Sequence, residues 1–222
     1  ASLRVAQRWI LRNILDALHT TPSSFGFERG SRLRTHAEQH VRARAVLTMD
    51  IENFFPSISI AQVTQVFKIA GYGSKAASIL ARLCTCRGAL PQGAPSSPRL
   101  ANLVCFRMDR RLSGFAGRRG LVYSRYADDM SFSGQSSTAL ATCRTFIAHI
   151  IADSGYRINR RKSRLVGPAG RKTVTGLVLT PDAVGIGRRR LRELRARIQQ
   201  AHLANDKSSI SSIQGWLDHV SD

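Results

Sequence analysis

Two adjacent acids, Asp128 and Asp129, sit inside a stretch that otherwise has the residue types and alternation of strands, YSRYADDMSFSG over residues 123–134. Tyr123, Tyr126, Met130 and Phe132 flank them, so the segment predicts two short strands, Gly120–Tyr126 and Met130–Ser133, joined in a hairpin with the acids at its tip. Another β-prone run, AVLTMD over 45–50, also ends in an acid, Asp50. A carboxylate at the end of a buried strand loses hydration and needs a compensating cation. If the strands pair, three carboxylates meet at one edge of a sheet. Three acids can hold two divalent cations roughly 3.5–4 Å apart, the arrangement that serves phosphoryl transfer. Mg²⁺ suits such a site because it takes few carboxylates and completes its octahedron with water and phosphate.

The charge balance makes these acids conspicuous. The chain of 222 residues carries 34 Lys and Arg against 14 Asp and Glu, a net charge of +20. Of the cations 29 are Arg and only 5 are Lys, and guanidinium forks match phosphate oxygens bidentately. Residues 157–197 hold 13 basic residues and 2 acidic ones, a block typical of an interaction surface. Apolar content of 43% excludes a disordered basic tail, and no apolar run is long enough to span a membrane. The expected partner is a polyanion, nucleic acid first. Cys84, Cys86, Cys105 and Cys143 are too few and too scattered for a disulfide framework, and read as reduced, mostly buried thiols.

Along the chain, Val5, Trp9, Ile10, Ile14 and Leu18 recur at helical spacing opposite Arg4, Arg8 and Arg12, which predicts one helix over 3–18. Two helices are expected at about 60–70 and 74–85, split by GYGS. PQGAPSSP (91–98) is irregular and leads into a helix capped by Ser97, with Pro98 in its first turn. A helix over 137–153, a basic turn, a strand at Thr173–Leu179 and two amphipathic tail helices, 188–204 and 207–220, complete the pattern. Strands interleaved with helices argue for an α+β sheet covered on one face.

The order LTMDIENFFPSI (47–58), LPQGAPSSPRLAN (90–102) and YSRYADDMSFSG (123–134) strongly resembles motifs A, B and C of the reverse transcriptases. GYRINRRKSRLV (155–166) and KTVTGLVLT (172–180) are similar to that family's motifs D and E. The resemblance implies a right-hand polymerase: partial fingers over 1–45, a palm over 46–180 with a fingers insertion at about 60–90, and a small, truncated helical thumb over 181–222. It also implies a piece of a longer protein.

Residue by residue, the resemblance makes Asp50, Asp128 and Asp129 the metal-binding triad for two Mg²⁺ ions, with Mn²⁺ as a substitute and the Ile51 carbonyl completing the shell. Phe55 matches the steric gate against a ribose 2′-hydroxyl, while Phe54 reads as core. Gln92, Gly93 and Ala127 fall near the incoming nucleotide, and Lys162 stands at the position of a proton donor to pyrophosphate. The same lysine reads equally as one more phosphate-binding cation. Thr173–Leu179 would grip the primer end, and Arg188, Arg189, Arg190, Arg192 and Arg195 would line a thumb face on the duplex.

SFGFERGSRLRTHAEQH (24–40) and Val174-Thr175-Gly176 resemble two hallmarks of the bacterial retron type, with His36 standing where that type usually has Asn. The implied activity is RNA-directed DNA synthesis on a structured non-coding RNA in the bacterial cytoplasm, using dNTPs, serving antiviral defence with an effector protein. Group II intron, diversity-generating and CRISPR-associated reverse transcriptases share the palm motifs and stay open as alternatives. So do an RNA-templated RNA polymerase and, from another class, an inactive RNA-binding scaffold.

Overall fold

The computed structural model of the chain describes residues 2–28, 30–204, 206 and 211. Its centre is strand β1, Ala45–Asp50, which pairs antiparallel with β3, Asp129–Gly134, on one side and with β4, Arg164–Val166, on the other. Strand β2, Val122–Tyr126, pairs antiparallel with β3, giving the order β2-β3-β1-β4. Successive side chains of a strand point to opposite faces. Ala45, Leu47 and Met49 of β1 join Met130 and Phe132 of β3 in the main core. The alternate residues, Thr48 and Asp50 on β1 and Asp129 and Ser131 on β3, share the other face.

Helices α6, Ser97–Gly117, and α7, Ser137–Asp153, pack on the core face. Full burial of one Leu- or Phe-sized side chain there contributes about 1.5–3 kcal/mol. Helix α4, Ile60–Ile69, packs against α6 and against α5, Ser74–Cys84. Its start follows from sequence: Ser59 and Gln62 form a reciprocal capping box. Ser136 caps α7 in the same manner, accepting from the Ala139 N–H at 3.2 Å. Helix α1, Ser2–Asn13, leans on α5, and a four-residue helix α3, Phe54–Ser57, follows β1.

A second, three-stranded antiparallel sheet holds β5 (Thr173–Val174), β6 (Leu177–Leu179) and β7 (Val184–Gly185). Helix α2, Leu33–Glu38, packs on it, and Ala37, Val46, Val174, Leu177 and Leu179 form a small second core. Val46 thus ties this unit to the face of the main sheet that carries the acids. Helix α8, Arg188–Leu203, comes last.

Several expectations need correction. The first helix ends at Asn13, a 3₁₀ turn covers Leu15–Ala17, and Val5 and Trp9 are exposed, whereas Gln7, Ile10 and Ile14 are buried. Gln7 turns inward because its Nε2 donates to the Leu83 carbonyl at 2.9 Å. Ser96, not Ser97, holds the N-cap position of α6. The single strand over 173–179 is a hairpin, reversed at Thr175 and Gly176, whose φ angles of 47° and 82° are those of a two-residue hairpin loop. The tail helix expected over 207–220 falls outside the described residues.

Two buried imidazoles join the second unit to the sheet. His40 Nδ1 lies 2.7 Å from Ser133 Oγ and its Nε2 2.6 Å from Ser124 Oγ. His36 packs edge-on to it, ring centroids 5.9 Å apart. Burial lowers both pKa values, to about 4 for His40 and about 3 for His36, the latter helped by the charges of His40 and Arg125. Both rings stay neutral when folded, while the unfolded chain protonates them below about pH 6.5. Stability is therefore complete above about 6.5 and falls as pH drops towards 4, by about 2 kcal/mol per ring at pH 5. The Asp129 carboxyl, raised to about 6, works in the opposite direction and offsets part of this loss. The denaturation midpoint should fall between pH 7 and pH 5, with His40→Asn flattening the fall; an equally steep fall in the variant would remove His40 as its source.

Candidate active site

The register of β1 against β3 places Asp50 directly across from Asp129. Asp128 occupies the two-residue turn before β3, and its carbonyl accepts the Ile51 N–H at 3.1 Å. All three acids therefore belong to one end of one sheet, with Asp50 and Asp129 on the face away from α6 and α7. Ala127, the other turn residue, has φ of 57°, a conformation that costs a non-glycine residue about 1 kcal/mol or more. Its surroundings hold it there: Arg125 Nη1 donates to its carbonyl at 2.9 Å, and Gly26 lies so close that a Cβ would come within 2.5 Å of the Ala127 nitrogen.

Electrostatics follow from that crowding. The Asp129 carboxyl is pushed up to about 6 by burial, then by the charges of Asp128 and Asp50. Burial, with Asp50 adding to it, also raises Asp128. A cation already answers them: Lys162 Nζ lies 2.9 Å from Asp50 Oδ2, a bond that raises the pKa of the lysine. The backbone brings it there, since the Asn159 N–H donates to the Asp50 carbonyl at 2.8 Å and so folds the basic turn against the end of β1. Among the described residues no three His, Cys, Asp or Glu side chains form a ready metal cage. The donor chemistry nevertheless fits a hard divalent cation, because all the donors are oxygen and like charges face one another across the strands.

The other expected residues are placed less uniformly. Phe54 is buried in the core, its ring 5.8 Å from the Arg125 guanidinium. Phe55 is half-buried, backed by Phe27 with centroids 6.0 Å apart. Gln92 and Gly93 are exposed in the turn before α6; Gly93 has φ of 79° and open space at its Cβ position, so conformation rather than close approach explains the glycine. Val174 is fully buried. Thr175, a β-branched residue in the left-handed region, puts its Oγ1 3.5 Å from His36 Nδ1, so the two segments resembling retron hallmarks meet in space. A Cβ on Gly176 would sit 3.0 Å from Arg190 Nη1, which places the start of α8 over that turn. Arg188, Arg189, Arg190, Arg192 and Arg195 are all exposed, and Arg189 pairs with Glu193 at 2.8 Å.

Sequence reasoning missed the group behind the turn. Arg125 and Asp109 are both fully buried, paired at 2.7 Å through Nη2 and 2.9 Å through Nε. Asn102, Ser24 and the Tyr123 hydroxyl complete the network. In a chain with 29 Arg, nothing in the sequence singles out this one.

Comparison with known proteins agrees with this geometry. Residues 1–180 match the family model described as reverse transcriptase (RNA-dependent DNA polymerase). The chain is 44% identical to the Retron Ec86 reverse transcriptase of Escherichia coli over 98% of its own length and 68% of the relative's. It is 36% identical to the Retron Mx65 reverse transcriptase of Myxococcus xanthus over 98% of the chain, but spans only 55% of that relative. Among solved structures it resembles telomerase of Candida albicans in complex with a fragment of telomeric RNA (TM-score 0.55, 11% identity, 94% of this chain and 43% of that one). Apo telomerase of Candida tropicalis gives a TM-score of 0.52 at 13% identity, over 82% and 44% of the two chains. These structural likenesses speak to the fold alone, an antiparallel palm sheet with helices on one face. Motif order, sheet register and kinship together assign the chain to the reverse transcriptases, the RNA-directed DNA polymerases, and among them to the retron type.

Proposed function

We propose that this chain catalyses template-directed addition of dNTPs to a primer end, copying a structured non-coding RNA into DNA. The pairing of Asp50 with Asp129 across β1 and β3, with Asp128 in the adjoining turn, carries the reading. Asp50, Asp128, Asp129 and the Ile51 carbonyl would hold two divalent ions, Mg²⁺ in the first place and Mn²⁺ as a substitute. Bound there, they would supply activation of the primer hydroxyl and neutralisation of charge on the phosphates. Lys162, kept protonated beside Asp50, would place a proton donor near the departing pyrophosphate.

Phe55 would lie beneath the sugar, with Gln92, Gly93 and Ala127 near the nucleotide. Thr175, Gly176 and the arginines of α8 would contact the primer–template and RNA backbone, while Val174, fully buried, would only hold that turn from the core beneath it. In domain terms, 1–45 would belong to the fingers, 46–180 to the palm and 181–222 to the thumb. Among the described residues no helix is long and apolar enough to cross a membrane. A cytoplasmic setting, an effector protein and a role in antiviral defence are parts of the same proposal.

Primer extension on an RNA template tests it: incorporation of dNTPs with Mg²⁺ and its loss in EDTA are expected, and no incorporation with either Mg²⁺ or Mn²⁺ overturns the reading. Sequencing of copurified nucleic acid should return a covalent RNA–DNA molecule. Phe55→Ala, at a half-buried position on the edge of the core, should raise rNTP use relative to dNTP by about 10–200-fold, the range of a steric pocket discrimination. Unchanged sugar selection would remove Phe55 from the gate.

A further inference from the structure

The helix-covered side of the sheet, away from the acids, carries an aromatic group that the proposed polymerase chemistry does not use. Phe146 on α7 is 55% exposed, and among the described residues it is the only large apolar side chain of α6 or α7 left so open. Its ring lies nearly parallel, at 14°, to that of Phe115 on α6, with centroids 4.5 Å apart. Phe115 itself is buried and carries the Arg119 guanidinium 3.9 Å from its centroid. Arg119 is also 6.0 Å from the Phe146 ring. The result is a stack whose outermost ring has one face backed by a second ring and a cation.

The surroundings are basic. Arg107, Arg111, Phe115 and Arg119 recur every four residues, one stripe along α6 and its C-terminal end, and Arg118 and Arg110 are exposed beside them. The exposed acid on this seam, Asp153, is already held by Arg111 at 3.0 Å. An isolated open ring amid guanidinium groups offers too little apolar area for the desolvated centre of a protein interface, which needs a cluster of anchors. It does match what unpaired nucleotides need, a π-face for a base and cations for the phosphates on either side.

We propose that the outward seam of α6 and α7 is a second nucleic-acid contact, in which an unpaired base stacks on Phe146 while Arg118 and Arg119 hold the adjoining phosphates. This contact lies on the opposite side of the sheet from the acids and is independent of the polymerase chemistry. It gives an RNA that enters the catalytic cleft a second point of attachment behind the palm.

The test titrates a labelled single-stranded RNA oligonucleotide into the whole chain whose cleft is preloaded with an unlabelled primer–template duplex, reading anisotropy over a range of salt. Phe146→Ala should weaken binding about 5–150-fold, the span that base–aromatic stacking gives, with melting temperature and extension of the short duplex unchanged. Arg118→Gln should lower the slope of log K against log salt by about 0.7, as for one phosphate contact to a single strand. Phe146→Trp should retain affinity, and its fluorescence should be quenched as oligonucleotide is added. Full affinity in Phe146→Ala together with an unquenched Phe146→Trp overturns the proposal. So does concentration-dependent self-association that Phe146→Ala abolishes, which would assign the seam to a second copy of the chain. Failure of duplex extension in the unmutated chain would count against the polymerase reading and leave this contact standing.

Discussion

Asp129→Asn removes nucleotide addition, by at least about 10²–10³-fold, the scale on which deletion of one preorganised charge-stabilising group acts. The substitution keeps the size of the side chain and the β1–β3 register, and deletes one of the charges that would hold the divalent ions. It also leaves Asp50 facing a neutral partner across the strands, where it now faces a like charge. Like charges directly opposite one another on a sheet are destabilising, so the melting temperature of the variant should be unchanged or higher. Loss of turnover without loss of fold, with RNA affinity kept, is the expected pairing in primer extension, thermal melting and RNA binding. Turnover close to that of the unmutated chain would sink the assignment of the acids. A fall in melting temperature alongside lost turnover would show instead that Asp129 is needed for the sheet.

Arg125→Met should be the most damaging single change to stability. It strands the Asp109 carboxylate, fully buried and still receiving the Tyr123 hydroxyl at 2.7 Å, without its counter-ion. An uncompensated buried charge costs about 3–5 kcal/mol, which for a chain of this size lowers the melting temperature by roughly 6–20 °C. Buried pairs are often replaceable as a unit, so Arg125→Met combined with Asp109→Leu should recover much of that loss. Turnover should not recover with it, because Arg125 Nη1 also props the Ala127 carbonyl that sets the turn carrying Asp128. Arg125→Lys, which keeps the charge and lacks the planar fork, should fall between the two. If the double variant regains both stability and turnover, Arg125 is a structural residue only and does not position the acids.

The His40 prediction belongs with these, since Ser124 and Ser133, its partners, lie on the same two strands that form the acid-bearing hairpin. Acid loosening around His36 and His40 should therefore reach the acid-bearing hairpin before the helices on the far side of the sheet.

Elements whose pattern repeats locally were legible. The helices expected at about 60–70, 74–85 and 137–153 are α4, α5 and α7, within a residue or two. The run AVLTMD is β1. Errors arose where a choice depends on a distant partner. Helical spacing in residues 3–18 shows that one face is apolar, but Leu83 decides that Gln7 points inward while Trp9 stays in water. Alternation over 173–179 cannot register a two-residue reversal when the first turn residue is Thr, a type that seldom takes positive φ. Arg125 alternates in phase with buried Tyr123, yet an arginine in a strand reads as solvent-facing until an Asp109 is seen behind it.

The sequence by itself determined the chemistry on offer: three acids in an Arg-rich chain, in motifs whose order and residues name the family. These are properties of composition and local spacing, which survive without knowledge of which strands pair. The tertiary structure decided the rest. Pairing of β1 with β3 brings Asp50 opposite Asp129 across about eighty residues of chain, a distance in sequence that no local pattern encodes. Burial of the Arg125–Asp109 pair holds Arg125 where it props the turn carrying Asp128, and the packing of α6 on α7 leaves Phe146 in solvent. Each is a consequence of which surfaces exclude water together, and that is settled only when the whole chain has folded.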